Sequence, residues 1–360
     1  MFRLAGFRRN RNKSMKKFLI TIGIVVILLV AAGAVLFSLR SRSLADEDWS
    51  ARAQAAAQLC QPTTQPEIAR PFGLSMVSAY EPASWPYLEE LGIKDVRTDL
   101  HWHLIEPKPN QYHWNDVDAL LRGFGQRQIN LYGVINIIPN WAKSWDQVFN
   151  QLKTFTTAMA ERYKPEGVFP QQERCDHCAI QYWEVFNESN FPGHGWLGRG
   201  VKAEVFVDEY VMALATVNQA LHALDPQAVI ILTGLSNTGL SATEFLERVY
   251  QLGAKNCFDI IAYHPYGQID QLSAVKLQFE AVVKKYNDQK PIWFNEFGEN
   301  RDQDKIYSFK KVLGQRAELA GFFWYNLRDY YQPTDDGFGL LNHDFSPKPV
   351  YAEFKKLLAK

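Results

Sequence analysis

Two segments of the 360-residue chain close on the same dipeptide: Tyr182-Trp183-Glu184-Val185-Phe186-Asn187-Glu188 and Pro291-Ile292-Trp293-Phe294-Asn295-Glu296. Each is a β-rich apolar run ending in an amide and a carboxyl. Two carboxyls brought close together can divide their labour. Desolvation and mutual repulsion raise the pKa of one, which becomes a proton donor, while the other stays ionised as a base or nucleophile. Further reactive side chains stand at comparable places. Arg97 lies in a run that ends in His101-Trp102, Asn136 and Trp141 follow another run, His264-Pro265-Tyr266 close a third, and Trp324 closes a fourth. A single Asn-Glu also describes a solvated strand end, so the reading depends on whether one fold gathers these residues.

Eight β-rich runs span residues 72–76, 95–100, 130–135, 181–186, 228–232, 258–262, 291–295 and 321–324. Amphipathic helical patterns separate them, among them 115–126 with Asn115 as N-cap, 202–224, 273–286 and 304–318. Such alternation predicts a parallel sheet with crossover helices. Eight strands and eight helices within 71–360 predict an α/β chain with a (β/α)8 TIM barrel. A doubly wound sheet would show a glycine-rich phosphate turn after its first strand, where this chain has Phe72-Gly73-Leu74-Ser75. Barrel active sites lie at the C-terminal strand ends, so all the residues above face one mouth.

Lys+Arg and Asp+Glu both number 39, a balance that argues against a nucleic-acid partner. Residues 18–39 carry no charge, and seven Lys and Arg residues without an acidic one precede them. This predicts a single N-terminal transmembrane helix, with 1–17 a basic cytoplasmic segment, 40–70 a linker, and the barrel of 71–360 outside the membrane. A cleaved signal peptide is the rival, with Ser43-Leu44-Ala45 as a small-residue site. Four cysteines fit an oxidising compartment. Cys175 and Cys178 suit a local disulfide or buried thiols better than half a zinc site, since no second Cys/His pair stands at matching spacing. Cys60 and Cys257, each ahead of a predicted strand, are a second candidate pair.

Carboxyls at the ends of strands four and seven face each other across a barrel, and a glycosidase needs two carboxyls flanking the scissile bond. Here the chain resembles the clan A glycoside hydrolases, the 4/7 superfamily of retaining (β/α)8 enzymes, over nearly all of 71–360. The segment ending Asn187-Glu188 resembles the strand carrying the acid/base, and Trp293-Phe294-Asn295-Glu296-Phe297-Gly298 the strand carrying the nucleophile. Arg97 matches the arginine near the nucleophile. His264 with Tyr266 resembles the pair whose tyrosine hydrogen-bonds the nucleophile, and Trp324 matches the tryptophan under the sugar beside the cleaved bond. Within the clan, the stretches from Glu106-Pro107 to Tyr112-His113-Trp114 and from Gly339-Leu340-Leu341 to Lys348-Pro349 are most similar to glycoside hydrolase family 39 and to some family 5 members.

The resemblance implies double displacement without cofactor or metal, Glu296 attacking the anomeric carbon and Glu188 acting as acid, then base. It also implies that Asn187 bonds the sugar 2-hydroxyl and that Arg97 and Tyr266 orient Glu296. Trp102, Trp141, Trp145 and Trp196, on predicted mouth loops, are candidate sugar platforms, with loop packing the alternative. Asn136 lies at the same mouth. Glu184 sits four residues deeper than Glu188 and reads as a buried structural partner, and Arg97 has Asp99 or Glu184 as candidate ion-pair partners. His101, His103 and His264 lack the acidic ligands of a barrel metallohydrolase. The expected protein is a membrane-tethered monomer that cuts a β-linked polysaccharide or oligosaccharide. The alternatives are a non-catalytic sugar-binding barrel in exopolysaccharide or wall assembly, or a transglycosylase using the same residues. The loops 189–200 and 328–346 are long enough to line a cleft, which favours endo action.

Overall fold

The computed structural model describes residues 48–64, 67–191, 203–330 and 337–359. The apolar run 18–39, its basic flank and Trp196 lie outside the described residues. Among the described residues no helix is long and apolar enough to cross a membrane.

Among the described residues nine strands alternate with helices: β1 (Phe72–Ser75), β2 (Asp95–His101), β3 (Asn130–Asn136), β4 (Ile180–Val185), β5 (Val229–Ile231), β6 (Leu235–Ser236), β7 (Ile261–His264), β8 (Ile292–Phe297) and β9 (Phe322–Tyr325). Their order is β5-β4-β3-β2-β1-β9-β8-β7-β6, and the ladders between neighbours are parallel. The ends of this order meet, because Ile231 bridges Ile260 just ahead of β7 and the Leu232 amide donates to Ile260 O at 2.9 Å. β5 and β6 are two halves of the fifth barrel strand, interrupted at 232–234. Nine segments therefore make the eight positions of a closed (β/α)8 barrel, and each expected run overlaps one of them, with β6 outside all eight. The sixth run starts late as a strand, because at Asp259 the carboxylate takes the Ile230 amide at 2.7 Å and only isolated pairing precedes Ile261.

Alternating side chains fill the barrel from below. Tyr132, Val229, Ile231, Ile260, Ala262, Trp293 and Phe323 form one buried cluster, with Tyr182 packed against it. Such a layer closes the floor to water and lowers the dielectric beneath whatever polar groups lie above.

Residues 50–360 form one compact unit, so most of the expected linker belongs to the barrel. The helix Trp49–Ala57 buries Ala53 and Ala57. Beyond it, Cys60 is disulfide-bonded to Cys257, and Gln61 exchanges two backbone hydrogen bonds with the Asn218 amide. Proline punctuation made this stretch look like a spacer, but its apolar face and its cysteine pin it to the domain. Cys175 and Cys178 form the second disulfide.

Candidate active site

Glu188 owes its position to an abrupt change of direction at the end of β4. Phe186 and Glu188 both adopt left-handed backbone conformations, with φ of 60° and 48°. That region costs a non-glycine residue about 1–3 kcal/mol and persists only where the surroundings over-determine it. Here the Phe186 amide donates to Ile135 O and the Glu188 amide to Gly234 O. Gly234 is required by space, since a Cβ there would lie 2.1 Å from His264 Nε2.

Glu296 is placed by a different device. Trp293 belongs to the interior cluster, so simple alternation would turn Asn295 inward and Glu296 outward. The pairing of β8 with β9 instead advances from Phe294↔Phe322 to Phe297↔Trp324, three residues against two. This bulge re-aims the strand and brings both Asn295 and Glu296 inward.

The two carboxylates meet over a buried cation. All five N–H groups of Arg97 are engaged: Nε and Nη2 donate to Glu184 at 2.7 and 2.9 Å, Nη1 to Glu296 at 2.7 Å and Ser75 at 3.0 Å, and Nη2 also to Asn187 at 2.7 Å. Glu184 in turn accepts from Asn295 and from the Gly234 amide, both at 2.8 Å. Burial alone would lower the Arg97 pKa, but the charges of Glu184 and Glu296 outweigh it and hold the guanidinium above its ordinary value. Tyr266 donates its hydroxyl to Glu296 Oε1 at 2.9 Å. Burial and the Glu296 charge push the Tyr266 phenol well above its usual range, so it remains a donor. His264 Nδ1 lies 2.9 Å from Glu188 Oε1 and 3.9 Å from Glu296 Oε1.

One oxygen each of Glu188 and Glu296 and one nitrogen of His264 lie within 4.8 Å of one another. Three such atoms have the spacing of a metal set, but a dication bound there would sit beside the Arg97 guanidinium on Glu296. The chemistry these donors favour is proton and charge transfer between carboxyls of unlike environment. Glu296 opens into a chamber of about 310 Å³ whose wall also includes Ser75, Arg97, Asp99, Asn187 and Tyr325.

Of the residues expected at the site, the structure gathers Glu188, Glu296, Arg97, Asn187, His264 and Tyr266. Arg97 has no donor left for a ligand and is a positioning residue. Asn136 reaches the chamber wall through Asp99 at 3.2 Å. Burial raises the Asp99 carboxyl above its usual range, while Arg97 pulls it down. The histidine cluster does not form: His101 and His103 pack against each other, apart from the His264 constellation, with Asp99 4.0 Å from His101 Nδ1.

Trp102 and Trp141 take the loop-packing alternative, and Trp324 faces away from the site. Trp102 is fully buried, stacked on Phe155 with centroids 5.3 Å apart, and donates to Glu106 at 2.6 Å. The chain enters a helix directly after His101 and turns this ring under the loop. Trp141 packs edge-on against Trp102 and donates to Glu106 O at 2.9 Å, so it braces the same loop. Trp324 is fully buried on the outside of the barrel, 5.5 Å from Phe309 and 5.0 Å from Phe354. Phe323 points inward, so the next inward position is Tyr325, which lines the chamber. Trp324→Ala is expected to cost about 3–5 kcal/mol by urea denaturation, as for other large core deletions. Tyr325→Ala is expected to cost a small fraction of that. Equal losses would contradict the assigned faces.

Ser75 and Tyr325 are the site residues that motif reading missed, whereas Asn295 stood beside Glu296 in the motif and Asp99 was a candidate partner of Arg97. Asp99, two residues beyond Arg97, lies on the same face of β2.

Comparison with solved structures finds the same architecture. A family 39 glycoside hydrolase from Bacteroides cellulosilyticus WH2 superposes with a TM-score of 0.58 at 19% identity, over 82% of this chain and 65% of that one. A glucosidase from Croceicoccus marinus gives 0.61 at 13% identity, over 83% and 69%. An exo-β-1,4-mannosidase from Opitutaceae bacterium strain TAV5 gives 0.57 at 13% identity, over 83% and 62%. This chain thus spans less than two thirds of the family 39 and mannosidase chains. No family model matches the sequence, and no curated protein does. At these identities the likeness concerns architecture: the chain shares the barrel fold of these enzymes.

Proposed function

We propose that this chain is a retaining glycoside hydrolase acting on a β-linked polysaccharide or oligosaccharide. The observation that carries the reading is the carboxyl pair: oxygens of Glu188 and Glu296 within 4.8 Å, with Arg97 and Tyr266 donating to Glu296 and His264 beside Glu188. Retaining enzymes hold their carboxyls about 5–5.5 Å apart, whereas inverting ones leave about 6.5–9.5 Å for an attacking water. The pair here supports the former.

Each oxygen of Glu296 accepts a hydrogen bond, Oε2 from the Arg97 guanidinium and Oε1 from the Tyr266 hydroxyl, which fixes where the carboxylate points. Its carboxylate attacks the anomeric carbon, the glycosidic C–O bond breaks, and the leaving oxygen takes the proton of Glu188. Water then attacks the same carbon, Glu188 takes its proton, and the bond to Glu296 breaks, restoring both groups. Asn187 spends its carbonyl on Arg97, which leaves its NH2 as donor to a sugar hydroxyl.

The test is hydrolysis of a glycan panel by purified residues 44–360, with products identified by mass and the first-formed anomer read by NMR. Release of the retained anomer is expected. Release of the inverted anomer would overturn the mechanism, and binding without release would select a sugar-binding scaffold. We also propose that the barrel works outside the membrane. The uncharged, basic-flanked run 18–39 and the two disulfides support this, and protease shaving of intact cells tests it.

A further inference from the structure

We infer that the substrate is engaged through at least two glycone units, the second lying in a side chamber over β1 and β2. The inference rests on the glycosidase reading above and decides between trimming of single terminal sugars and cleavage further along a chain. The reaction chamber at Glu296 is not a dead end. It adjoins a second space of about 270 Å³, and Val77 and His101 line both. The two spaces are of similar size, so what admits one sugar ring at Glu296 has room for another next door.

The side chamber's position says which end of the substrate it holds. Its wall comes from chain between β1 and β3, including Val77, Tyr80, His101, Leu104, His113 and Asp116. Glu188, which delivers the proton to the leaving group, follows β4. The leaving group therefore departs towards the β4 side, and a unit in the side chamber belongs to the glycone.

Its surface suits a sugar. A pyranose presents an apolar C–H face and a rim of hydroxyls, and sugar sites combine flat apolar surface with a few polar groups. Here the rings of Tyr80, His101 and His113 and the aliphatic Val77 and Leu104 supply the former, and Asp116 supplies an acceptor. The Tyr80 ring is fixed in place, its hydroxyl donating to Asp99 O at 3.0 Å. Among the described residues seven large apolar side chains are strongly exposed. Three of them, Val77 at 43%, Leu104 at 57% and Tyr330 at 46%, stand on the walls of these two spaces. Exposed apolar groups concentrated at one rim mark a surface that is covered in use.

The experiment compares aryl monoglycosides with the corresponding aryl β-diglycosides of each sugar in the panel, on the full chain and on Leu104→Trp. Leu104 is exposed, so the larger ring can be accommodated without disturbing the core, and it fills the side chamber. A diglycoside preference in kcat/KM on the order of 100-fold is expected, since binding energy of a remote unit is realised at the reacting centre. Leu104→Trp should reduce that ratio to within a few fold. Equal rates on the two substrates, or an unchanged ratio in Leu104→Trp, would overturn the side chamber while leaving the glycosidase reading intact. Failure to hydrolyse any glycoside, together with inert polysaccharides, would reject that reading and this inference with it.

Discussion

Glu296→Ala is expected to abolish turnover on every substrate, by roughly 10⁴-fold or more, while Glu188→Ala should fail only where its proton is needed. The difference follows from the bonds each carboxylate makes. Glu296, held by Arg97 and Tyr266, forms the covalent bond, and no later step proceeds without it. Glu188 moves protons. A dinitrophenyl glycoside has a leaving group that departs without protonation, so Glu188→Ala should form the glycosyl-enzyme in a burst and then stall for lack of a base. Azide needs no base and should restore release, giving a glycosyl azide of the substrate's own β configuration. Pre-steady-state bursts and product NMR read both effects. If Glu296→Ala keeps the burst and Glu188→Ala loses it, the two roles are reversed.

The second large effect is on stability. Glu184 is almost fully buried, and its two oxygens accept four hydrogen bonds, two of them from Arg97. Glu184→Ala should cost about 3–5 kcal/mol, because it leaves a buried guanidinium short of a counter-charge, and Arg97→Met should cost a similar amount for the converse reason. The double variant Arg97→Met/Glu184→Leu should lose much less than the sum, since no uncompensated partner of that pair remains. Activity should stay low in all three, because Glu296 loses its anchor or the group that holds that anchor in place. Additive losses in urea denaturation would show that the pair is not one unit.

Strand periodicity and the rule that barrel chemistry lies at C-terminal strand ends were enough to locate Glu188, Glu296, Arg97, Asn187, His264 and Tyr266 at one mouth. What stayed hidden depends on where a side chain points rather than where it falls along the chain. Trp324 and Tyr325 differ by one position, and only the inward packing of Phe323 shows which faces the chamber. Glu296 itself faces inward because of a bulge against β9, which no residue type announces. Trp102 looked like a mouth-loop platform, but helix formation directly after β2 carries it into the core. Ser75 is a small hydroxyl in an apolar strand, and its contacts with Arg97 and Glu296 emerge only when β1, β2 and β8 come together.

The most direct test of the central claim is covalent trapping. The chain is incubated with a panel of dinitrophenyl 2-deoxy-2-fluoro-β-glycosides, which slow deglycosylation, and intact mass is followed by peptide mapping. One glycosyl increment is expected on the peptide containing Glu296, absent from Glu296→Gln and retained in Glu188→Ala. An increment on another residue, or one that survives Glu296→Gln, would contradict the account.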